Sequence, residues 1–180
     1  MKKTITFFCG SKDTIHSLNT SCIRDIITGL HTQYQYAYGG GTHGLMKQVY
    51  EACKDCNVHL TSVNCNRWKE DEHECQENLY FSSIIERQNK LLDIGDIYIV
   101  APGGVGTMFE ALQAITMNDV KEASKPIYFL NVLHYFDSFF DMLEEARKLG
   151  TINKSNDELL VHKIDNIDNL IEMLKCKENV

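Results

Sequence analysis

Three short apolar runs in this sequence stop at clusters of small residues: Phe8-Cys9-Gly10-Ser11, Tyr38-Gly39-Gly40-Gly41-Thr42 and Ala101-Pro102-Gly103-Gly104. Between such runs lie stretches whose apolar residues recur every three or four positions, as at Cys22, Ile23, Ile26, Ile27 and Leu30, the spacing of a helix with one buried face. Strand-sized runs alternating with helices predict an α/β fold, a Rossmann-like three-layer sandwich with a mostly parallel sheet covered on both faces. In such a sheet the turns that follow strands gather at one edge, and ligands bind there, beside the point where the strand order reverses. The three glycine turns are therefore expected to share one site.

In detail, strands are expected at residues 5–9, 36–38, 58–63, 79–82, 96–101, 126–131 and 159–162. Helices are expected over 15–30, 44–53, 84–94, from the third glycine turn to 120, over 135–149 and over 167–174. The charged segment 64–78 has no periodicity and reads as a long loop, and loops of that length are often functional. No internal repeat or linker interrupts the pattern, so a single domain spanning 1–180 is expected.

Composition bounds the partners. A net charge of −7 argues against a nucleic-acid partner, whose phosphates need clustered Lys and Arg, but leaves room for a small phosphorylated ligand. The apolar runs are strand-sized, far below the roughly 20 residues that span a bilayer, so no membrane partner is expected. The start Met1-Lys2-Lys3 is followed by an apolar stretch that soon breaks at Cys9-Gly10-Ser11, unlike a secretory leader. Seven cysteines cannot all pair within one chain. Cys53 and Cys56 have CxxC spacing, but they fall in an expected helix without a second pair, and His59 is the nearest other ligand type. A reduced, cytoplasmic protein with no metal and no cofactor is the expectation. The run Glu77-Asn78-Leu79-Tyr80-Phe81-Ser82 resembles an engineered protease-cleavage site, yet it lacks the required glutamine and lies mid-chain, so it reads as native sequence.

The chemistry concentrates around the third turn. Gly103, Gly104 and Gly106 free the backbone for positive φ and for close approach to a ligand, and Thr107 stands where a helix begins. Helix N-termini present unpaired N–H groups and a partial positive charge suited to phosphate. Glu110, three residues after Thr107, has the spacing of a capping box and equally that of a residue facing a ligand. The second cluster, with Gly40, Gly41 and Thr42 leading into Gly44-Leu45-Met46, favours the ligand. Neither cluster has the dinucleotide pattern GxGxxG in its usual place or the phosphate loop ending in Gly-Lys-Ser/Thr. Arg87, just before the buried fifth strand, suits either a solvated helix face or a phosphate contact.

Taken together, Phe8-Cys9-Gly10-Ser11, Tyr38 to Met46, Glu86-Arg87 and Pro102-Gly103-Gly104-Val105-Gly106-Thr107-Met108-Phe109-Glu110 resemble the Lonely Guy (LOG) family of cytokinin riboside 5′-monophosphate phosphoribohydrolases, often labelled lysine decarboxylase-like. The resemblance covers roughly residues 4–150. It implies a Rossmann-like homodimer that takes a small-molecule nucleotide of the AMP type and hydrolyses the bond between the base and ribose 5-phosphate. It implies Arg87 and Glu110 as the catalytic pair, Gly103, Gly104, Gly106 and Thr107 as a phosphate cradle, and Gly10 and Ser11 as nucleotide contacts. The chain departs from the family at Gln88, where lysine is usual, at Phe109, where glutamate is usual, and at Thr42-His43 in place of Ser-Val. The proline-rich sequence expected in 64–78 is missing. No cofactor-binding lysine motif supports a decarboxylase. A non-catalytic nucleotide or cofactor carrier of the same fold, and a ribosyl transferase using Glu110 as nucleophile, are the alternatives.

Overall fold

The computed structural model describes residues 2–13 and 21–177. Within them, seven strands form one sheet in the order β4-β3-β2-β1-β5-β6-β7. They are β1 (Lys3–Phe8), β2 (Tyr34–Tyr38), β3 (Leu60–Cys65), β4 (Glu77–Phe81), β5 (Ile97–Val100), β6 (Ile127–Leu130) and β7 (Val161–Ile164). Every neighbouring pair is parallel, so the sheet is wholly parallel where a mostly parallel one was expected. The chain starts at the centre and steps outward through β2, β3 and β4. It then crosses to the other side of β1 for β5, β6 and β7. Ile5 of β1 pairs with Tyr36 on one side and Ile97 on the other, which puts the reversal of strand order at β1.

Among the described residues, six helices cover the sheet: α1 (Ser21–Leu30), α2 (Gly44–Asp55), α3 (Ile84–Ile94), α4 (Val105–Asp119), α5 (Asp137–Lys148) and α6 (Ile167–Lys177). Side chains alternate across a strand, and β1 shows the result: Ile5 and Phe7 enter one core and Phe8 the other. The first core joins α1, α2 and α6 through Ile23, Ile26, Leu45, Val49, Leu170 and Leu174. The second joins α3, α4 and α5 through Leu91, Ala111, Ala114, Phe140 and Leu143. Two cores on one sheet make the three layers.

Several boundaries move. Ile15 and Leu18, which began the expected first helix, lie outside the described residues. The segment 64–78 is less of a loop than expected: β3 runs to Cys65, a 3-10 turn spans Asn66–Asp71, and β4 begins at Glu77. The tag-like run is thus the edge strand of the sheet. The last strand starts two residues late, because Leu160 takes a left-handed φ of 56° in the turn before it. The helix expected from Tyr135 begins at Asp137, after a 3-10 turn, Val132–His134, containing left-handed Leu133 and His134.

Candidate active site

The three glycine turns meet at the carboxyl edge of the sheet, on either side of β1. The Gly10 N–H donates to the Pro102 carbonyl (3.1 Å), and the Gly10 carbonyl accepts from the Leu45 and Met46 amides (3.0 and 3.3 Å). The first turn is thereby clamped between the third turn and the start of α2. Together they border a cavity of about 870 Å³, within the range of small-molecule sites. Gly10, Ser11, Gly40, Gly41, Thr42, Arg87, Gly103, Gly104, Gly106, Thr107 and Glu110 all line it.

The glycines serve different needs. Gly40 has φ +77°, and a Cβ there would meet Glu72 Oε1 and come within 2.7 Å of Ser62 Oγ. Gly103 is needed for close approach: a Cβ would overlap Thr107 Oγ1 and come within 2.9 Å of the Gly10 nitrogen. The positive φ anticipated for the third turn is not used, since Gly103, Gly104 and Gly106 are absent from the left-handed glycines. Gly104 and Gly106 have nothing within 4 Å of a would-be Cβ, and the open space beside them belongs to the cavity.

Arg87 sits in the first turns of α3, whose start is set by a capping box. Ser83 Oγ accepts from the Glu86 amide, and Glu86 Oε2 accepts from the Ser83 amide, both at 3.2 Å. From that fixed start Arg87 turns inward and is only 7% exposed, which corrects the solvated-face reading. Its Nη1 donates to Glu110 Oε1 (2.9 Å), its Nε to the Val63 carbonyl (3.0 Å) and its Nη2 to the Gly39 carbonyl (3.3 Å). One guanidinium therefore ties together β3, the second glycine turn and α4.

Glu110 is 4% exposed, and the capping reading for it is also corrected. The N-cap of α4 is Gly104, and no side chain caps it. Thr107 is already the third helical residue, and Glu110 lies beyond reach of the first amides, with its carboxylate on Arg87. Burial pushes the Glu110 carboxyl above its ordinary value, against the opposing pull of Arg87. A buried carboxylate whose only ionic partner among the described residues is a fixed guanidinium can stabilise positive charge or take a proton from water.

Further residues of the site were not singled out from sequence. Tyr135 Oη donates to the Gly103 carbonyl (2.6 Å) and lines the cavity. Behind Gly40, both Glu72 oxygens are shielded from water without a hydrogen bond of normal geometry, although Tyr80, Asn64 and Asn78 face them, and burial raises this carboxyl as well. Gln88 is fully buried, and neither of its amide atoms has a hydrogen-bond partner among the described residues. Where the resemblance implies a lysine, this chain places a neutral side chain in the core. Trp68 and Asp71 of the 3-10 turn also face the cavity. A signal existed for these two, since a lone tryptophan in a charged, aperiodic segment lacks a core role. Cys53 of the CxxC pair is buried, and burial drives its thiol up, so it is ill suited to ligate as a thiolate.

Residues 31–174 match the family described as "Possible lysine decarboxylase". Among curated proteins, the chain is 26% identical over 180 residues to cytokinin riboside 5′-monophosphate phosphoribohydrolase LOG2 of Arabidopsis thaliana, covering 96% of this chain and 83% of that one. It is 29% identical over 167 residues to the probable enzyme LOGL3 of Oryza sativa subsp. japonica, covering 88% and 77%. Among solved structures, the Moco carrier protein of Chlamydomonas reinhardtii superposes with TM-score 0.70 at 16% identity, covering 97% of this chain and 96% of that one. The molybdenum cofactor binding protein of Rippkaea orientalis gives 0.63 at 16%, covering 98% and 97%. These structural likenesses establish the shared fold. The family match spans most of the sequence, and the chain therefore belongs to this family, the one that holds the LOG proteins.

Proposed function

We propose that the protein hydrolyses the N-glycosidic bond of a nucleoside 5′-monophosphate, AMP or a cytokinin riboside 5′-monophosphate, to free base and ribose 5-phosphate. The observation that carries this reading is the buried Arg87–Glu110 pair, 2.9 Å apart, at the wall of a cavity that also contains the α4 N-terminus. The first amides of α4 lack intrahelical partners and suit the phosphate. With the phosphate there, the ribose lies near Glu110. Cleavage sends the bonding electrons to the base and leaves positive charge on the sugar ring. The Glu110 carboxylate stabilises that charge and accepts a proton from the water that attacks the sugar carbon, while the departing base takes up one proton from solvent and leaves as the neutral free base. Arg87 holds Glu110 in place and keeps it ionised. The names of the LOG relatives support the same reaction.

Incubation with AMP, GMP, CMP and isopentenyl-AMP, followed by chromatography of the released bases, tests the reading. Adenine and ribose 5-phosphate are expected from AMP. Glu110→Gln is expected to cut turnover by about 10²-fold or more, the usual worth of a positioned proton acceptor, and Arg87→Ala to do likewise. Tight binding of nucleotides without turnover would replace the hydrolase with a carrier, as the names of the structural neighbours suggest for them. Base exchange faster than hydrolysis would indicate a ribosyl transferase. We further propose that two copies associate through the exposed apolar face of α3 and α4.

A further inference from the structure

We propose that the 3-10 turn Asn66–Asp71 reads the base. In this proposal Trp68 stacks on the base, and Asp71 accepts a hydrogen from an exocyclic amino group. The site then prefers a 6-aminopurine nucleotide to its 6-oxo counterpart. The proposal rests on the reading that the cavity takes a nucleoside monophosphate, and it adds which residues choose the base.

The sheet supplies the layout. The phosphate-friendly start of α4 follows β5, whereas the turn 66–71 follows β3. Between β3 and β5 lie β2 and β1, so the two ends of the cavity are three strand spacings apart, about 14 Å at about 4.8 Å per strand. That is the reach needed between a phosphate and the far edge of its base. Charge sets the direction. Unpaired helix amides draw the phosphate toward α4, and the Asp71 carboxylate repels it from the β3 end.

Trp68 is the single tryptophan of the chain. It is 43% exposed, belongs to neither core, and lines the cavity. The Arg67 guanidinium lies 4.2 Å from the centroid of its ring, and Arg67 does not line the cavity. One face of the indole is thus occupied from outside, which steadies the ring and leaves the other face for the ligand. An aromatic platform of this kind serves any base, so it supplies affinity without choosing among bases.

Asp71 supplies the choice. It lines the same cavity, and its side chain makes no hydrogen bond or ion pair among the described residues. An ionised carboxylate only accepts hydrogen bonds. It matches the amino group of adenine and repels the carbonyl oxygen of hypoxanthine at the same ring position. Elsewhere in the sheet, helices link neighbouring parallel strands, but β3 and β4 are joined through this 3-10 turn. The crossover that departs from the helical pattern is the one that delivers Trp68 and Asp71 to the cavity.

A sole tryptophan makes the test direct. The full-length Glu110→Gln protein, which is expected to hold nucleotide without consuming it, is titrated with AMP, IMP and ribose 5-phosphate. Tryptophan fluorescence reports stacking, and calorimetry reports affinity. AMP is expected to change the emission and to bind about tenfold more tightly than IMP. Ribose 5-phosphate is expected to compete with AMP while leaving the emission unchanged. Adding Trp68→Ala should weaken AMP by about tenfold and leave ribose 5-phosphate unaffected, whereas Trp68→Phe should retain most of the AMP affinity. Adding Asp71→Asn, which can donate to a carbonyl, should bring IMP level with AMP. Equal binding of AMP and IMP by the Asp71 protein, or no effect of Trp68→Ala on AMP, overturns the proposal even if the wild type hydrolyses AMP. AMP binding with these signatures in a protein that never releases adenine supports the proposal and sinks the hydrolase reading. Failure of all three ligands to bind overturns both.

Discussion

Glu110 is held in an environment that works against its charge, and Arg87 is what keeps the charge there. Burial raises the carboxyl from its ordinary 4.5, while the guanidinium lowers it again. The proposed hydrolysis needs the ionised form, so kcat/KM should fall as pH drops through the Glu110 titration, and this acid limb should lie above 4.5. Removing the guanidinium deletes the lowering contribution. The residual activity of Arg87→Gln should therefore show its acid limb at higher pH than the wild type. A pH–rate profile of both proteins checks the sign, and a limb that stays in place in Arg87→Gln would separate Glu110 from the rate. The residues themselves explain why Glu110 was ambiguous from sequence. Ser83-x-x-Glu86 and Thr107-x-x-Glu110 are the same capping pattern, yet only the first forms a box. In the second, the close approach of Gly103 to Gly10 and the N-cap of α4 at Gly104 move Thr107 into the helix. That depends on contacts between distant turns, which local spacing does not encode.

At the scale of elements, the start of α3 decides where Arg87 points. The Ser83 cap is worth about 1 kcal/mol by the usual cost of replacing such a residue with alanine. Ser83→Ala should lower stability by about that amount in chemical denaturation. It should also reduce turnover more than a stability loss of that size would, because Arg87 is the fourth residue of α3. A Ser83→Asp protein, which can still cap, should recover both, and loss of stability without loss of turnover would detach Arg87 geometry from the cap. The helices and strands were legible wherever periodicity was strong: α3, β5 and the glycine turns stand close to their expected places. The charged segment 64–78 reads as a loop because a 3-10 turn has no apolar stripe and an edge strand such as β4 is only half-covered. The late start of β7 follows from left-handed Leu160, a leucine where such backbone is uncommon, so nothing in its type announced the turn.

Across the whole molecule, one face of the helical layer is left uncovered by the described residues. Ile85 on α3 and Phe109 and Leu112 on α4 are 53%, 41% and 44% exposed, and Gln113 Nε2 donates to Asn89 Oδ1 (3.1 Å), which joins the two helices side by side. Ile84 and Val105 continue this face, and both also line the cavity, so the patch runs to the mouth of the site. Clustered apolar exposure of this kind marks an association surface, and two copies related by a two-fold axis would cover it with itself. Phe109 stands where the resemblance to the LOG family implies a glutamate. A ring there adds apolar area to the seam and removes a charge that association would have to desolvate. Sedimentation of the wild type should give twice the 20.6 kDa chain mass. The double change Phe109→Glu and Leu112→Glu places four like charges across the two-fold and should give a folded monomer, with unchanged circular dichroism, because both side chains lie outside the cores. Because Ile84 and Val105 belong to both the seam and the cavity, the monomer should also bind nucleotide more weakly. A wild type that sediments as one chain at tens of micromolar would remove the α3–α4 seam from the proposal and leave the cavity chemistry to a single copy.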